Sequence, residues 1–300
     1  MSMMIRAAAL SKQGDTCGSV GHAVEAAAKC IKEAGIDKQD IDLLINTGVY
    51  KDENIAEPAM ASIIQYELGI NLDPAICKDA KNTFSFDLFN GACGFLYAAK
   101  VADSFIQNQE RKLIMIVSSE VHPSQKLSPD FPYTHIGSAV LLEGSAQEAK
   151  GFKHFFFETS KRSRKSYKGY SNILDEVLCG SRGRELIHVD IAPDYAEKLE
   201  KHTVRTIKEH IRSGEINPSE IKVIITSQTT PDFGDKISKS IGLNGISSIS
   251  TYEKFGNAGS SDIIIGYCMA NKKGLLKKGE KILFVGSGSG LTATLAIYEV

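Results

Sequence analysis

The residues best placed to do chemistry lie in Phe86-Asp87-Leu88-Phe89-Asn90-Gly91-Ala92-Cys93-Gly94-Phe95, which runs directly into the apolar-periodic segment Leu96 to Ile106. An apolar strand that ends in small residues and a cysteine, then passes straight into a helix, sets the Cys93 thiol beside unpaired backbone N–H groups. It also sets the thiol at the positive end of the helix dipole. Such surroundings favour a thiolate, the nucleophile of covalent catalysis. The same pattern also suits a buried cysteine at a tight turn, with the glycines permitting close packing. Other chemistry-bearing residues are dispersed. The six cysteines (Cys17, Cys30, Cys77, Cys93, Cys179, Cys268) contain no C-x-x-C pair and the seven histidines form no ligand-spaced cluster, so neither a disulfide framework nor a metal site is expected. Gly286-Ser287-Gly288-Ser289-Gly290 lacks the following Lys of a P-loop. The run Lys161-Arg162-Ser163-Arg164-Lys165-Ser166-Tyr167-Lys168 could meet a phosphate or an acidic carrier, although such runs are usually solvated loops.

These residues need elements to hold them, and 300 residues allow either one large core or two related halves. With 42% hydrophobic and 24% charged residues and a formal net charge of −1, the composition is that of an ordinary soluble protein, with nothing that points to nucleic acid. The longest apolar runs fall far short of the ~18 residues of a membrane span, and the first residues do not read as a secretory signal. A cytoplasmic protein with reduced thiols is expected.

Strand patterns at Ile5 to Leu10, Asp40 to Asn46, Lys112 to Ser118 and Ser138 to Glu143 alternate with helical patterns at Gly21 to Ala34, Pro58 to Leu68 and after Cys93. The order then recurs, with helices at Tyr195 to Ile211, Lys236 to Ile241 and Asp262 to Ala270, and strands at Ile221 to Thr226 and Lys281 to Val285. The sequences echo as well. Gly35 to Ile45 matches Glu215 to Ile225, Glu67-Leu68-Gly69-Ile70 matches Ser240-Ile241-Gly242-Leu243, Phe89-Asn90-Gly91-Ala92 matches Phe255-Gly256-Asn257-Ala258, and Leu113 to Ser118 matches Ile282 to Ser287. Matched blocks in one order imply an internally duplicated α/β unit, with halves at 1–148 and 149–300 and an irregular insertion at Lys161 to Ile187.

A duplicated βαβ unit with a cysteine at a strand-to-helix turn resembles the thiolase superfamily, and in detail β-ketoacyl-(acyl-carrier-protein) synthase III. Phe86-Asp87 ahead of the turn, Gly94-Phe95 at the helix start, Phe255-Gly256-Asn257 and Gly290-Leu291-Thr292 carry the match over nearly the whole chain. The resemblance implies a thiolase-like αβαβα fold and acyl-thioester transfer or decarboxylative condensation in fatty-acid or polyketide-like biosynthesis. It implies a Cys nucleophile, a His and an Asn that activate the extender, and backbone N–H groups in the Gly290 loop that hold the oxyanion. It further implies no tightly bound cofactor, acyl-coenzyme A or acyl-carrier phosphopantetheine as substrate, acyl carrier protein as partner, and a dimer.

Residue by residue, Asn257 falls on the family's asparagine, while Ser227-Gln228 falls where the family has His-Gln. A serine hydroxyl can donate one hydrogen bond but cannot act as a general base near neutrality. His122 or His135 could stand in. The arginine linked to carrier docking falls on Asp232. Aligned without a gap, the family's Cys position falls on Ala92, and Cys93 comes one residue late, a rotation of about 100° on a helix. A bulge at Gly91 would instead bring Cys93 to the elbow. Leu10 to Gly21 is short and Trp is absent, so coenzyme A would not be held in the family's usual way. Two expectations follow: an acyl-transferring enzyme using Cys93, Ser227, Asn257 and Gly290, or a catalytically degenerate subunit that pairs, as homodimer or heterodimer, with an active synthase and shapes its acyl pocket.

Overall fold

The continuous apolar runs become the inner strands of two five-stranded sheets. In the computed structural model the described residues are all except 1, 15–16, 74–81, 109–110, 125–129, 146–149, 162–165, 172–186, 244–245 and 289. Cys77, Cys179, the Gln147 end of the half boundary, Ser289 and residues 162–165 of the basic run therefore lie outside them. The first half supplies β1 (Ser2–Leu10), β2 (Leu43–Asn46), β3 (Phe84–Asp87), β4 (Leu113–Glu120) and β5 (Ile136–Ser145), arranged β1-β5-β4-β2-β3. After β6 (Gly151–Thr159) comes a separate antiparallel pair, β7 (Tyr167–Tyr170) and β8 (His188–Ile191). The second sheet then takes β9 (Ile221–Thr226), β10 (Ser247–Ile249), β11 (Lys281–Gly288) and β12 (Thr292–Glu299), in the order β6-β12-β11-β9-β10. In both sheets the buried inner strand, β2 or β9, runs parallel to its two neighbours, and antiparallel strands complete the other edge.

Helices α1 (Ser19–Ala34) and α2 (Met60–Leu68) cover the outer face of the first sheet. α3 (Gly94–Gln107) fills the middle layer, while α4 (Tyr195–Arg212) and α5 (Phe233–Ser240) cover the second sheet. α6 (Tyr252–Phe255) is a single turn, and α7 (Asp262–Lys272) lies beside α3. Phe95, Leu96, Ala98 and Ala102 of α3 and Ile263 and Ile264 of α7 are buried in one cluster with Ile45 and Ile116 of the first sheet and Ile225 and Phe284 of the second. Each fully buried large side chain contributes about 1.5–3 kcal/mol of transfer free energy. This shared layer gives the thiolase-like αβαβα order and fixes the two helix starts that frame the site.

Three differences from the sequence-based expectation have local causes. α2 begins at Met60, because the Asp87 carboxylate accepts the N–H groups of Met60 and Ala61 at 2.9 and 2.8 Å, leaving Pro58 outside. β6 and β12 are additional strands, paired with each other at the second sheet's antiparallel edge. The short 3-10 turn Gly91–Cys93 ahead of α3 has its counterpart in Gly259–Ser261 ahead of α7, so Gly91 falls opposite Gly259 and not opposite Asn257.

Candidate functional site

The strand β3 delivers the chain to Gly91–Cys93, and α3 leaves from it. Gly91 holds φ 47°, a left-handed value glycine adopts without strain. The turn sends two adjacent side chains to different places. Ala92 lines a cavity of about 340 Å³, whereas Cys93 is 0% exposed and outside the lining. The Cys93 Sγ donates to the carbonyl oxygen of Thr292 at 3.5 Å, and burial pushes the thiol up to about 12. At such a value the thiolate is scarce near neutrality. β11 presses on the turn from behind. A Cβ on Gly286 would collide with Thr294 Oγ1 and come within 3.0 Å of the Ala92 carbonyl oxygen, and one on Gly288 would reach 3.4 Å from Cys93 Sγ. The glycines after Val285 thus serve close approach of strand and turn.

The second half's polar residues separate as well. Ser227, 0% exposed at the end of β9, accepts the Ser287 N–H at 3.0 Å and donates to the Ser287 carbonyl at 3.2 Å, so it staples β9 to β11. Gln228 is a similar strap, donating to the carbonyls of Thr226 and Ile249 and accepting the Thr251 N–H. Asn257 does line the cavity. Its Oδ1 accepts the Gly259 N–H at 3.0 Å, and its Nδ2 has no protein acceptor among the described residues. Gly290, at φ 76° between β11 and β12, lies outside the lining, as do His122 and His135, whose contact runs from the His122 N–H to His135 Nε2 at 3.2 Å. The cavity therefore brings Ala92 and Asn257 together, and leaves Cys93, Ser227 and Gly290 away from it.

Other cavity groups were not among the sequence candidates. Tyr133, from the loop before β5, and Tyr167, from β7, place their hydroxyls 2.5 Å apart on one wall. Tyr195 and Tyr252 line other parts, and no Lys, Arg or His is among the described lining residues. Asp262, at the start of α7, accepts the N–H groups of Gln228 and Ala258, each at 2.8 Å, yet burial pushes its carboxyl up to about 7. Glu120 lies behind Gly259, where a Cβ would meet both Glu120 and Tyr133 at 2.9 Å. Burial pushes the Glu120 carboxyl up to about 7 against the pull of Ser260, whose Oγ donates at 2.5 Å. Ser260 and Ser118 also join the halves, their hydroxyls being 2.5 Å apart.

Residues 211–300 match the family model described as 3-Oxoacyl-[acyl-carrier-protein (ACP)] synthase III C terminal. A β-ketoacyl-[acyl-carrier-protein] synthase III of Clostridium perfringens is 30% identical over 293 residues, which cover 93% of this chain and 83% of the relative. The chain belongs to the β-ketoacyl-[acyl-carrier-protein] synthase III family. Its relatives place it with the condensing enzymes of acyl thioesters in fatty-acid or polyketide-like biosynthesis. The synthase III of Aquifex aeolicus is 24% identical over 277 residues, covering 90% of this chain and 80% of the relative. The crystal structure of 3-oxoacyl-[acyl-carrier-protein] synthase III from Aquifex aeolicus matches all of both chains with TM-score 0.78 at 18% identity. OleA of Xanthomonas campestris, crystallised with bound lauric acid and lauroyl-CoA, matches with TM-score 0.82 at 18% identity over 100% of this chain and 99% of its own. Both structures share the fold of this chain. Among the described residues no helix is long and apolar enough to cross a membrane.

Proposed function

We propose that this synthase III homologue serves acyl-thioester condensation by holding a thioester in the cavity without forming an acyl-enzyme at Cys93. The observation that carries the reading is the divergence of neighbours: Ala92 lines the cavity, while the Cys93 thiol is wholly buried against Thr292. The Ser227 hydroxyl spends its proton on the Ser287 carbonyl and so has none to offer a substrate. Asn257 keeps a donor on the cavity, suited to a thioester carbonyl or an enolate oxygen. A space of about 340 Å³ fits a small or medium acyl group. The thioester would arrive on coenzyme A or on carrier phosphopantetheine, in the cytoplasm, with no resident cofactor. Intact-mass analysis after incubation with acetyl- and octanoyl-coenzyme A tests this: no covalent adduct is expected, and a mass increase that disappears in Cys93→Ala would sink it.

Two surfaces support protein partners. β3 is an open sheet edge, with Phe84 50% exposed on it and Phe89 48% exposed just after it, while Tyr66 nearby in sequence at the end of α2 is 68% exposed. Such an edge suits pairing with a second copy, or with an active synthase of the same fold that supplies the nucleophile. Light scattering of the purified chain separates these, since a stable homodimer would exclude an obligatory foreign partner. A groove along α4 and α5 carries Lys201, Arg205, Lys208 and Arg212; Lys208 and Arg212 have no acidic partner among the described residues. This groove suits an acidic carrier.

A further inference from the structure

Three clamps hold the turn that carries Asn257, and they act on different atoms. The Thr134 N–H takes the Asn257 main-chain carbonyl at 2.8 Å, and Asp262 Oδ1 takes the Ala258 N–H at 2.8 Å. Neither contact involves the Asn257 side chain. Its Oδ1 is held by the Gly259 N–H at 3.0 Å, which leaves Nδ2 as the unused donor of a residue that lines the cavity. The direction of that donor therefore depends on where the Gly259 N–H stands.

The third clamp sets this N–H in place. Ser260, next to Gly259 and 1% exposed, donates its hydroxyl to Glu120 Oε1 at 2.5 Å and accepts that of Ser118 at 2.5 Å. Gly259 is pressed against the same carboxyl-bearing side chain: a Cβ there would lie 2.9 Å from Glu120 Cγ and 2.9 Å from Tyr133 Cε1. Glu120, at the end of β4 in the first half, is anchored in turn by the N–H groups of Val49 and Tyr50 at 3.3 and 3.4 Å. The part of the turn that orients the Asn257 amide is thus seated on a side chain from the other half. Burial raises this carboxyl to about 7, so its ionisation weakens the fold. An apolar side chain would carry no such penalty, and what the carboxyl contributes is the placement of Ser260.

We propose that Glu120 is a positioning residue, which through Ser260 and Gly259 holds the Asn257 amide so that Nδ2 donates to the thioester carbonyl. This rests on the reading that the cavity holds a thioester and that Asn257 is its donor.

The test titrates the full chain by calorimetry at about pH 8, where the carboxyl is mostly ionised. The probes are S-octanoyl-N-acetylcysteamine and its thioether analogue, in which a methylene replaces the thioester carbonyl. Wild type is expected to bind the thioester about three- to tenfold more tightly than the thioether, the range of one neutral hydrogen bond. Glu120→Asp keeps the charge but withdraws it from Ser260, and Ser260→Ala removes the hydroxyl. Each should lower the ratio to about twofold or less with thioether affinity unchanged. Glu120→Gln keeps an acceptor at the same reach and should keep the ratio. Adding Ser260→Ala to Asn257→Asp, which already lacks the donor, should cost no further thioester affinity. A ratio unaltered in Glu120→Asp or in Ser260→Ala overturns the role of Glu120, as does a ratio that falls as far in Glu120→Gln as in Glu120→Asp. Equal losses of affinity for both probes, the mark of a purely structural part, overturn it too, as does an undiminished loss from Ser260→Ala in the Asn257→Asp background. If wild type binds the two probes equally, Asn257 is not the donor and the positioning role falls with it. If wild type binds neither, the thioester reading itself falls.

Discussion

Thr134 donates its backbone N–H to the backbone carbonyl of Asn257 at 2.8 Å, across the junction of the two halves. The loop that carries Tyr133 is thereby fixed to the turn that carries Asn257. Gly256, at φ 65°, allows the approach, since a Cβ there would come within 2.5 Å of Thr134 Oγ1. Tyr133 and Asn257, which both line the cavity, are positioned by one another, one from each sheet's loops.

Asn257 has two separable roles, and two variants divide them. Asn257→Ala removes both the Oδ1 that accepts the Gly259 N–H and the cavity donor, so it is expected to lose about 1 kcal/mol of stability together with thioester affinity. Asn257→Asp keeps the acceptor and removes the donor. It should retain most of the stability in urea denaturation and still lose affinity in calorimetry.

The close approach of β11 to the turn predicts a steric effect at Gly286. Gly286→Ala places a methyl against Thr294 Oγ1 and near the Ala92 carbonyl oxygen, which belongs to backbone and cannot rotate away. A loss of about 1–3 kcal/mol is expected from overpacking, measured by urea denaturation.

Glu120 makes stability depend on pH. Its carboxyl titrates near 4.5 when free and at about 7 in the fold, because burial disfavours its charge. Below the lower value it is protonated in both states. Between the two, the unfolded chain has released the proton that the fold retains, so stability falls as pH rises, by at most about 1.4 kcal/mol per unit for this group, and levels off above about 7. Asp262, raised from 3.8 to about 7, adds a slope of the same sign. Glu120→Gln should flatten the fall between about pH 5 and pH 7 without abolishing it, in urea titrations across that range.

Much of this was legible in the chain itself. The fully buried strands β2 and β4 open on the apolar runs Leu43 to Ile45 and Leu113 to Val117, and α1 stops at Gly35 with φ 64°, so pattern and punctuation agree with the fold there. The layered duplication was visible because paired elements bury the same face and so reuse the same spacing. The site was less so. Ala92 and Cys93 differ by one helical step, and only the three-dimensional turn separates cavity from core. Tyr133 and Tyr167 come from a loop and from a strand of the two-stranded pair, where no periodicity marks them. The raised carboxyls of Glu120 and Asp262 result from burial among residues far apart in the chain, Ser260 beside Glu120 and Gln228 beside Asp262, which no local window contains. β6 and β12 have no clear sequence signal, because Thr292 reads as the tail of a glycine-rich loop and the aromatic run Phe155-Phe156-Phe157 lacks strict alternation.

The claim that the cavity has lost its nucleophile at Ala92 is tested most directly by restoring one. Wild type, Cys93→Ala and Ala92→Cys are incubated with octanoyl-coenzyme A and weighed intact. The account predicts no adduct on the first two and a single octanoyl mass increase on Ala92→Cys, where the new thiol belongs to a residue of the cavity lining in the turn just ahead of α3. An adduct on wild type that Cys93→Ala abolishes, with none gained by Ala92→Cys, would contradict it.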